Sequence, residues 1–329
     1  MSKDLPIKKI LTDHQLAPSK KLGQNFLVHR QTAERIVELS GVTPDDSVLE
    51  LGVGLGSLTL PLAERVKQVI GLELDAGIIA YHQEHRTLPA NVTLIHQDLL
   101  RADFAELAAQ TNGPLKILAN LPYSISNLLL FKLVENHESL SWAVLMLQKE
   151  VGQRLTAPVG TKEYGVLSVL LADCASVQTI MQVGPGQFHP RPKVDSVVVR
   201  ITFHPVPARV AQIPAHDRKL LRRIVNAAFG QRRKTLRNSL SAGMINGLSR
   251  ERLSALLSQS GSIDWLCWPH FDSPSVFGRI LDLNGGCFSV DMEEWESQAQ
   301  YRKDTAIVDF VFSNGDSSFH QADFMVPQT

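Results

Sequence analysis

Cysteine is scarce in this chain. Cys174, Cys267 and Cys287 stand far apart and form no Cys-x-x-Cys pair. That spacing argues against a disulfide framework or a cysteine zinc site and points to a reducing compartment. Long apolar runs are missing too: none approaches the roughly 20 residues that span a bilayer. The opening Met1-Ser2-Lys3-Asp4 carries no apolar signal region, so a cytoplasmic protein without membrane association is expected. His82 and His85 have no cysteine or carboxylate cluster beside them, and no metal is expected. Internal repeats and low-complexity tracts are absent. So is net charge, since 33 Lys and Arg balance 33 Asp and Glu.

That balance hides an asymmetry. Residues 185–240 hold twelve Lys and Arg against Asp195 and Asp217, whereas residues 285–329 hold two against eight acids. A basic segment beside an acidic tail leaves room for a nucleic-acid partner despite the neutral total. With 329 residues and 44% hydrophobic content, the chain can bury at least one sizeable core and suggests two domains.

In the first half, short apolar runs alternate with amphipathic stretches. Strands are expected at Ser47–Leu51, Gln68–Glu73, Thr93–His96, Lys116–Ala119 and Ala143–Gln148, with helices such as Leu58–Arg65 and Ala76–His85 between them. This order predicts an α/β fold, a mostly parallel sheet covered by helices on both faces. Two β-rich segments within 175–203 predict an antiparallel hairpin on the sheet edge. After His204-Pro205-Val206-Pro207 the chain turns helical and basic to about residue 285.

Two stretches carry chemistry. Glu50-Leu51-Gly52-Val53-Gly54-Leu55-Gly56 follows a strand and precedes a helix, the usual place for a nucleotide-like cofactor. A dehydrogenase is the obvious rival. However, the dinucleotide fingerprint wants its third glycine three residues after the second, and Gly56 comes two after Gly54. Glu73 ends the second strand, where a carboxylate can accept from ribose hydroxyls; Asp98 follows the third, placed to meet an adenine amine. Asn120-Leu121-Pro122-Tyr123 ends another apolar run and should share the same sheet edge. A cofactor loop facing an Asn/aromatic pair suggests group transfer onto a flat polar amine, with a nucleobase the obvious candidate.

The ordered set resembles the ribosomal RNA adenine dimethyltransferase family, S-adenosylmethionine enzymes that methylate an adenine exocyclic amine twice. Within it, the bacterial small-subunit (16S) branch is most similar. The resemblance runs over roughly residues 18–283. It includes Lys21-Leu22-Gly23-Gln24-Asn25-Phe26-Leu27, the glycine loop, Glu73-Leu74-Asp75, Asp98 and Asn120-Leu121-Pro122-Tyr123. It continues with Phe188-His189-Pro190-Arg191-Pro192-Lys193-Val194-Asp195-Ser196 and Phe229-Gly230-Gln231-Arg232-Arg233-Lys234-Thr235-Leu236-Arg237-Asn238-Ser239-Leu240. It implies a Rossmann-like methyltransferase sheet and a small all-α C-terminal domain. It also implies S-adenosylmethionine contacts at Asn25, Leu27, Gly52, Glu73, Asp98 and Asn120.

An adenine amine is a poor nucleophile because its lone pair is delocalised into the ring. The Asn120 side-chain oxygen and the Leu121 carbonyl can bind its hydrogens and turn that lone pair toward the methyl donor. Pro122 stiffens the turn. Tyr123 offers a stacking face, and Phe188 is expected on the other face of an extruded base. Arg191 and Lys193 are expected to meet RNA phosphates. So are Arg222, Arg223, Arg232, Arg233, Lys234 and Arg237 on basic helices whose apolar face is Leu220, Leu221, Ile224 and Val225.

The expected division is a catalytic domain over 1–207, a helical RNA-binding domain over 208–285, and an acidic extension of unassigned role over 286–329. In that extension Asp291–Glu296 reads as a short acidic helix, and Thr305–Phe312 followed by Asn314-Gly315 reads as a strand and turn. The expected partner is 16S rRNA in the small subunit or its precursor, bound by a monomer. Two alternatives stay open. One is a large-subunit rRNA enzyme of the antibiotic-resistance type, against which Leu121 stands where that branch usually has Ile. The other is a non-catalytic ribosome-assembly factor on the same fold.

Overall fold

The computed structural model describes residues 6–18, 23–111, 113–213, 215–231 and 236–242, and further on 296–301, 307–314 and 317–324. The chain divides into two compact units, Met1–Ala157 with Glu163–Ala215, and Pro158–Lys162 with His216–Thr329.

The first unit runs α1 (Ile7–Asp13), β1 (Phe26–Leu27), α2 (Arg30–Ser40), β2 (Ser47–Leu51), α3 (Thr59–Ala63), β3 (Gln68–Glu73), α4 (Ala76–His85), β4 (Val92–His96) and α5 (Phe104–Gln110). It continues β5 (Leu115–Asn120), α6 (Ser126–Glu135), β6 (Leu140–Gln148), α7 (Lys149–Leu155), α8 (Val166–Cys174), β7 (Ser176–Val183), β8 (Phe188–His189), β9 (Ser196–Thr202) and α9 (Ala208–Ala211).

Seven strands form one sheet in the order β4-β3-β2-β5-β6-β9-β7. The first five are parallel to their neighbours, and β9 is antiparallel to both β6 and β7. The expected edge hairpin is therefore present, with the later strand on its inner side. Composition explains the choice. Val197, Val198 and Val199 are all buried, as suits an internal strand, whereas in β7 only Val183 is buried.

Successive residues feed opposite layers, as a pleat requires. Leu49 and Leu51, Ile117 and Ala119, and Leu145 and Leu147 enter one core. Val48, Leu118, Val144 and Met146 enter the other. Both faces are thus covered, and the order reverses between β2 and β5. That reversal opens a crevice at the carboxyl ends of these two strands, where the glycine loop and Asn120 sit side by side.

The first unit extends to Ala215, beyond the boundary expected at 207. Val210 of α9 is 9% exposed, and Arg209 donates to the Ala172 carbonyl at 2.9 Å, so this helix is tied to α8.

The second unit holds α10 (Arg218–Phe229), α11 (Leu236–Ala242), β10 (Glu296–Tyr301), β11 (Ile307–Asn314) and β12 (Ser317–Phe324). The three strands form an antiparallel sheet in sequence order. Asn314 pairs with Ser317; Gly315 of the expected turn lies outside the described residues. Glu296 pairs with Ser313 in β10, so the acidic helix expected to end there is not formed at that residue. Residues 291–295 lie outside the described residues. Leu221, Val225 and Ala228 form the buried stripe of α10, at the i, i+4, i+7 spacing of a helix face. Leu220, expected on that face, is 40% exposed, one residue out of phase.

Candidate cofactor and base site

The glycine loop is built from backbone bonds. Gly52 and Val53 both donate to the Leu72 carbonyl, at 2.9 and 3.3 Å. Gly52, Gly54 and Gly56 have φ of 83°, 53° and 83°, a region where a Cβ is unfavourable. Gly71 in β3 answers a different need: a Cβ there would come within 2.4 Å of Val53.

Glu73, 7% exposed, organises both sides of the loop. One carboxylate oxygen accepts from Gly54 N at 2.9 Å. The other accepts from Leu74 N and Asp75 N at 2.8 and 2.9 Å. An ionised carboxylate offers about four acceptor sites, so three are in use before any ribose arrives. Asp75 caps α4 through Gly77 N and Ile78 N and accepts from Gln24 Nε2 at 3.0 Å. Asp98 follows β4 and accepts from Leu100 N at 2.9 Å.

The segment before α2 closes over this edge. Asn25 donates to Gly23 O at 3.1 Å, and Asn25 O accepts from Asn120 Nδ2 at 2.9 Å. A Cβ on Gly23 would meet Ser124 Oγ at 3.3 Å and Pro122 at 3.7 Å, so this strap lies against the Asn-Leu-Pro-Tyr turn. The result is a cavity of about 180 Å³. Its walls include Asn25, Leu27, Gly52, Glu73, Asp98, Asn120 and Leu121, so seven of the expected site residues meet.

Tyr123 and Phe188 are not among the lining residues. The Tyr123 hydroxyl shares a 2.7 Å hydrogen bond with Ser196 Oγ, and burial raises its pKa. Phe188 is 4% exposed and belongs to the core cluster that includes Leu27, Val183 and Val198. Its position follows from pairing, since β8 joins β1 with Phe188 opposite Leu27. In this structure the expected stacking residue is a core side chain.

Among the lining residues without an expected role, Glu50 stands out. Glu50 is 1% exposed, with Oε2 lacking a hydrogen-bond partner. Burial, reinforced by the Glu73 charge, pushes its carboxyl up to about 8, so near neutral pH it is mostly an uncharged acid. The signal was available: a single acid inside a buried strand, two residues before the first glycine.

Among the basic residues, Arg191, Lys193 and Arg223 are exposed and Arg222 is half-buried. Arg232, Arg233 and Lys234 lie outside the described residues. Arg237 falls in α11.

A family model described as ribosomal RNA adenine dimethylase matches residues 17–259. A second, described as trehalase-like, N-terminal, matches residues 232–324. The match to the first family model therefore ends before residue 283, and the second model covers most of the acidic extension. A ribosomal RNA small subunit methyltransferase A from Desulfotalea psychrophila is 53% identical over 232 residues, 70% of this chain and 77% of that one. Its counterpart from Geobacter metallireducens is 44% identical, over 74% and 86% respectively. Among solved structures, a dimethyladenosine transferase from Plasmodium falciparum gives a TM-score of 0.55 at 26% identity, covering 71% of this chain and 78% of that one. The 23S rRNA methyltransferase ErmE gives 0.52 at 25%, over 72% and 90%.

Proposed function

Because the chain belongs to the ribosomal RNA adenine dimethylase family, we propose that it dimethylates the exocyclic amine of adenines in small-subunit (16S) rRNA. The rRNA would be bound in the small subunit or its precursor, and the methyl donor would be S-adenosylmethionine. Several curated relatives carry small-subunit methyltransferase names, which favours this substrate over large-subunit rRNA. Among the described residues no helix is long and apolar enough to cross a membrane. We take the working form to be a cytoplasmic monomer.

The residues present fit the cofactor. Acids stand at the ends of β3 and β4, apolar Val53, Leu55 and Leu99 line the cavity, and the orphaned Glu50 oxygen is a polar group awaiting a partner. S-adenosylmethionine supplies an electrophilic methyl group. Glu73 and Asp98 would hold its sugar and base portions, with Asn25 and Leu27 closing over the remainder.

The observation that carries the reading is the Asn120 carboxamide. Its nitrogen is committed to Asn25 O at 2.9 Å, which leaves the side-chain oxygen to accept from a substrate amine. The Leu121 carbonyl supplies a second acceptor. After one methylation the amine still carries a hydrogen for one of them, so the same array serves both rounds. Tyr123 is not a base, because burial raises its pKa and outweighs the opposing effect of the bond to Ser196, so its hydroxyl stays protonated; its ring is left for stacking. Positioning of this kind can contribute about 7–11 kcal/mol to a rate enhancement. Arg191, Lys193, Arg222 and Arg223, with Arg232, Arg233, Lys234 and Arg237, would meet phosphates and set register rather than read sequence.

The test is methyl transfer in vitro to unmethylated small and large subunits supplied separately. Dimethyladenosine confined to small-subunit rRNA is expected. Transfer to large-subunit rRNA alone would favour the resistance-type reading, and binding without transfer would favour an assembly factor.

A further inference from the structure

His82 is the histidine least expected to matter. It lies in α4, far from any base-binding motif, and the cofactor reading assigns it nothing. Yet it is 4% exposed, and both ring nitrogens are engaged. Nε2 lies 2.7 Å from the Gly54 carbonyl oxygen, and Nδ1 is hydrogen-bonded to the Thr87 hydroxyl. Thr87 is there because α4 ends on Arg86 at φ 47°, a left-handed cap that folds the chain back beside His82.

These contacts dictate the tautomer. A carbonyl oxygen only accepts, so Nε2 carries the hydrogen. Burial lowers the imidazole pKa, and the neutral ring then accepts at Nδ1 from Thr87. Gly54 is consequently held at both of its polar groups: Glu73 takes its N–H at 2.9 Å, and His82 takes its carbonyl. The ring also underlies Gly56, where a Cβ would sit 3.7 Å from His82 Cε1.

We propose that His82 is a positioning residue for the cofactor, fixing the peptide plane between Gly54 and Leu55 through its bond to the Gly54 carbonyl. In a trans peptide the N–H points opposite the C=O. Anchoring that carbonyl on α4 therefore turns the Leu55 N–H away from α4. Gly54 and Leu55 both line the cavity, so the imidazole determines which edge of their peptide the cofactor meets. The inference rests on the S-adenosylmethionine reading of that cavity.

The experiment is calorimetric binding of S-adenosylmethionine to the full chain and to His82→Leu, His82→Gln and Thr87→Val, with kcat measured at saturating cofactor. Loss of one net hydrogen bond predicts roughly two- to tenfold weaker binding for His82→Leu, with kcat within about twofold. His82→Gln keeps an N–H for Gly54 and should recover most of that loss; Thr87→Val should fall between the two. Nitrogen NMR of the imidazole should show the Nε2–H tautomer. Unchanged affinity in a folded His82→Leu protein, equal losses in the Gln and Leu variants, or the Nδ1–H tautomer would each overturn the proposal. Failure of the wild-type chain to bind S-adenosylmethionine would instead overturn the cofactor reading itself.

Discussion

On the proposed reading, the two units of this chain would carry function in opposite ways. In the α/β unit it would reside in single atoms: the Asn120 carboxamide tied to Asn25, Glu73 holding three backbone amides, and His82 under Gly54. In the basic segment of the second unit it would reside in repeated charge, with eight Lys and Arg against Asp217 over residues 216–237. A reaction at one amine needs acceptors at fixed places, so one lost atom is costly. Phosphate binding is shared among many cations, and each contributes a modest, salt-dependent increment. Large effects should therefore follow single changes in the first unit and only multiple changes in the second.

The sharpest single change is Phe188→Ala. As a buried core residue it should cost about 3–5 kcal/mol of stability, read as a lower midpoint in denaturant. A near-normal midpoint with weakened RNA turnover would return Phe188 to the base-stacking role. Next is Asn120→Ala, expected to raise the barrier by about 2.7–4 kcal/mol. RNA affinity should hold and cofactor affinity should loosen modestly, because the Asn25 bond is lost too. Near-normal turnover at saturating cofactor and RNA would remove Asn120 from the chemistry.

Glu50 gives a pH signature. Its carboxyl, held up to about 8 by burial, binds a proton in the folded chain where the unfolded chain has released it. Its contribution to stability is thus full below the ordinary carboxyl range and is lost as pH rises toward 8. Glu50→Gln should flatten that decline between about pH 5 and 8. Parallel stability profiles for the two proteins would show that Glu50 is ionised throughout.

In the second unit, replacing Arg222, Arg223, Arg232 and Arg233 together with Ala should spare cofactor binding. It should lower the logarithmic salt slope of RNA binding by about 0.7 per phosphate lost. An unchanged slope would place the RNA elsewhere. The smallest effect is expected from truncation after Asn284. If the acidic segment, with eight acids over 285–329, competes with RNA for the basic helices, its removal should tighten non-specific binding at low salt. Equal affinity in the folded truncated protein would reject competition.

Local pattern was enough where the chain's own neighbours decide the structure. The expected bounds of β2, β3 and α4 coincide with those observed, because apolar runs there are bracketed by charged and glycine residues. β6 begins at Leu140 rather than at Ala143; Ser141-Trp142 blurs the run, while burial of Trp142 depends on contacts distant in sequence. The six residues expected around the cofactor all reach the cavity, since each lies at a strand end or in a strap beside one. The core neighbours of Phe188 could not be read locally, because its partner Leu27 is far upstream and their pairing leaves no trace in the surrounding pattern. Glu50 and His82 have no role legible in the sequence for a related reason. One acid in a strand and one histidine in a helix acquire meaning only from what surrounds them in space.

The central claim is dimethylation of small-subunit rRNA adenines through the Asn120 acceptor. Its most direct test is nucleoside mapping of ribosomes from cells lacking this chain, complemented by the wild-type or the Asn120→Ala protein. The wild type should restore dimethyladenosine to small-subunit rRNA, and Asn120→Ala should restore little or none. Full restoration by Asn120→Ala, or small-subunit rRNA whose dimethyladenosine is unaltered by loss of the chain, would contradict the account.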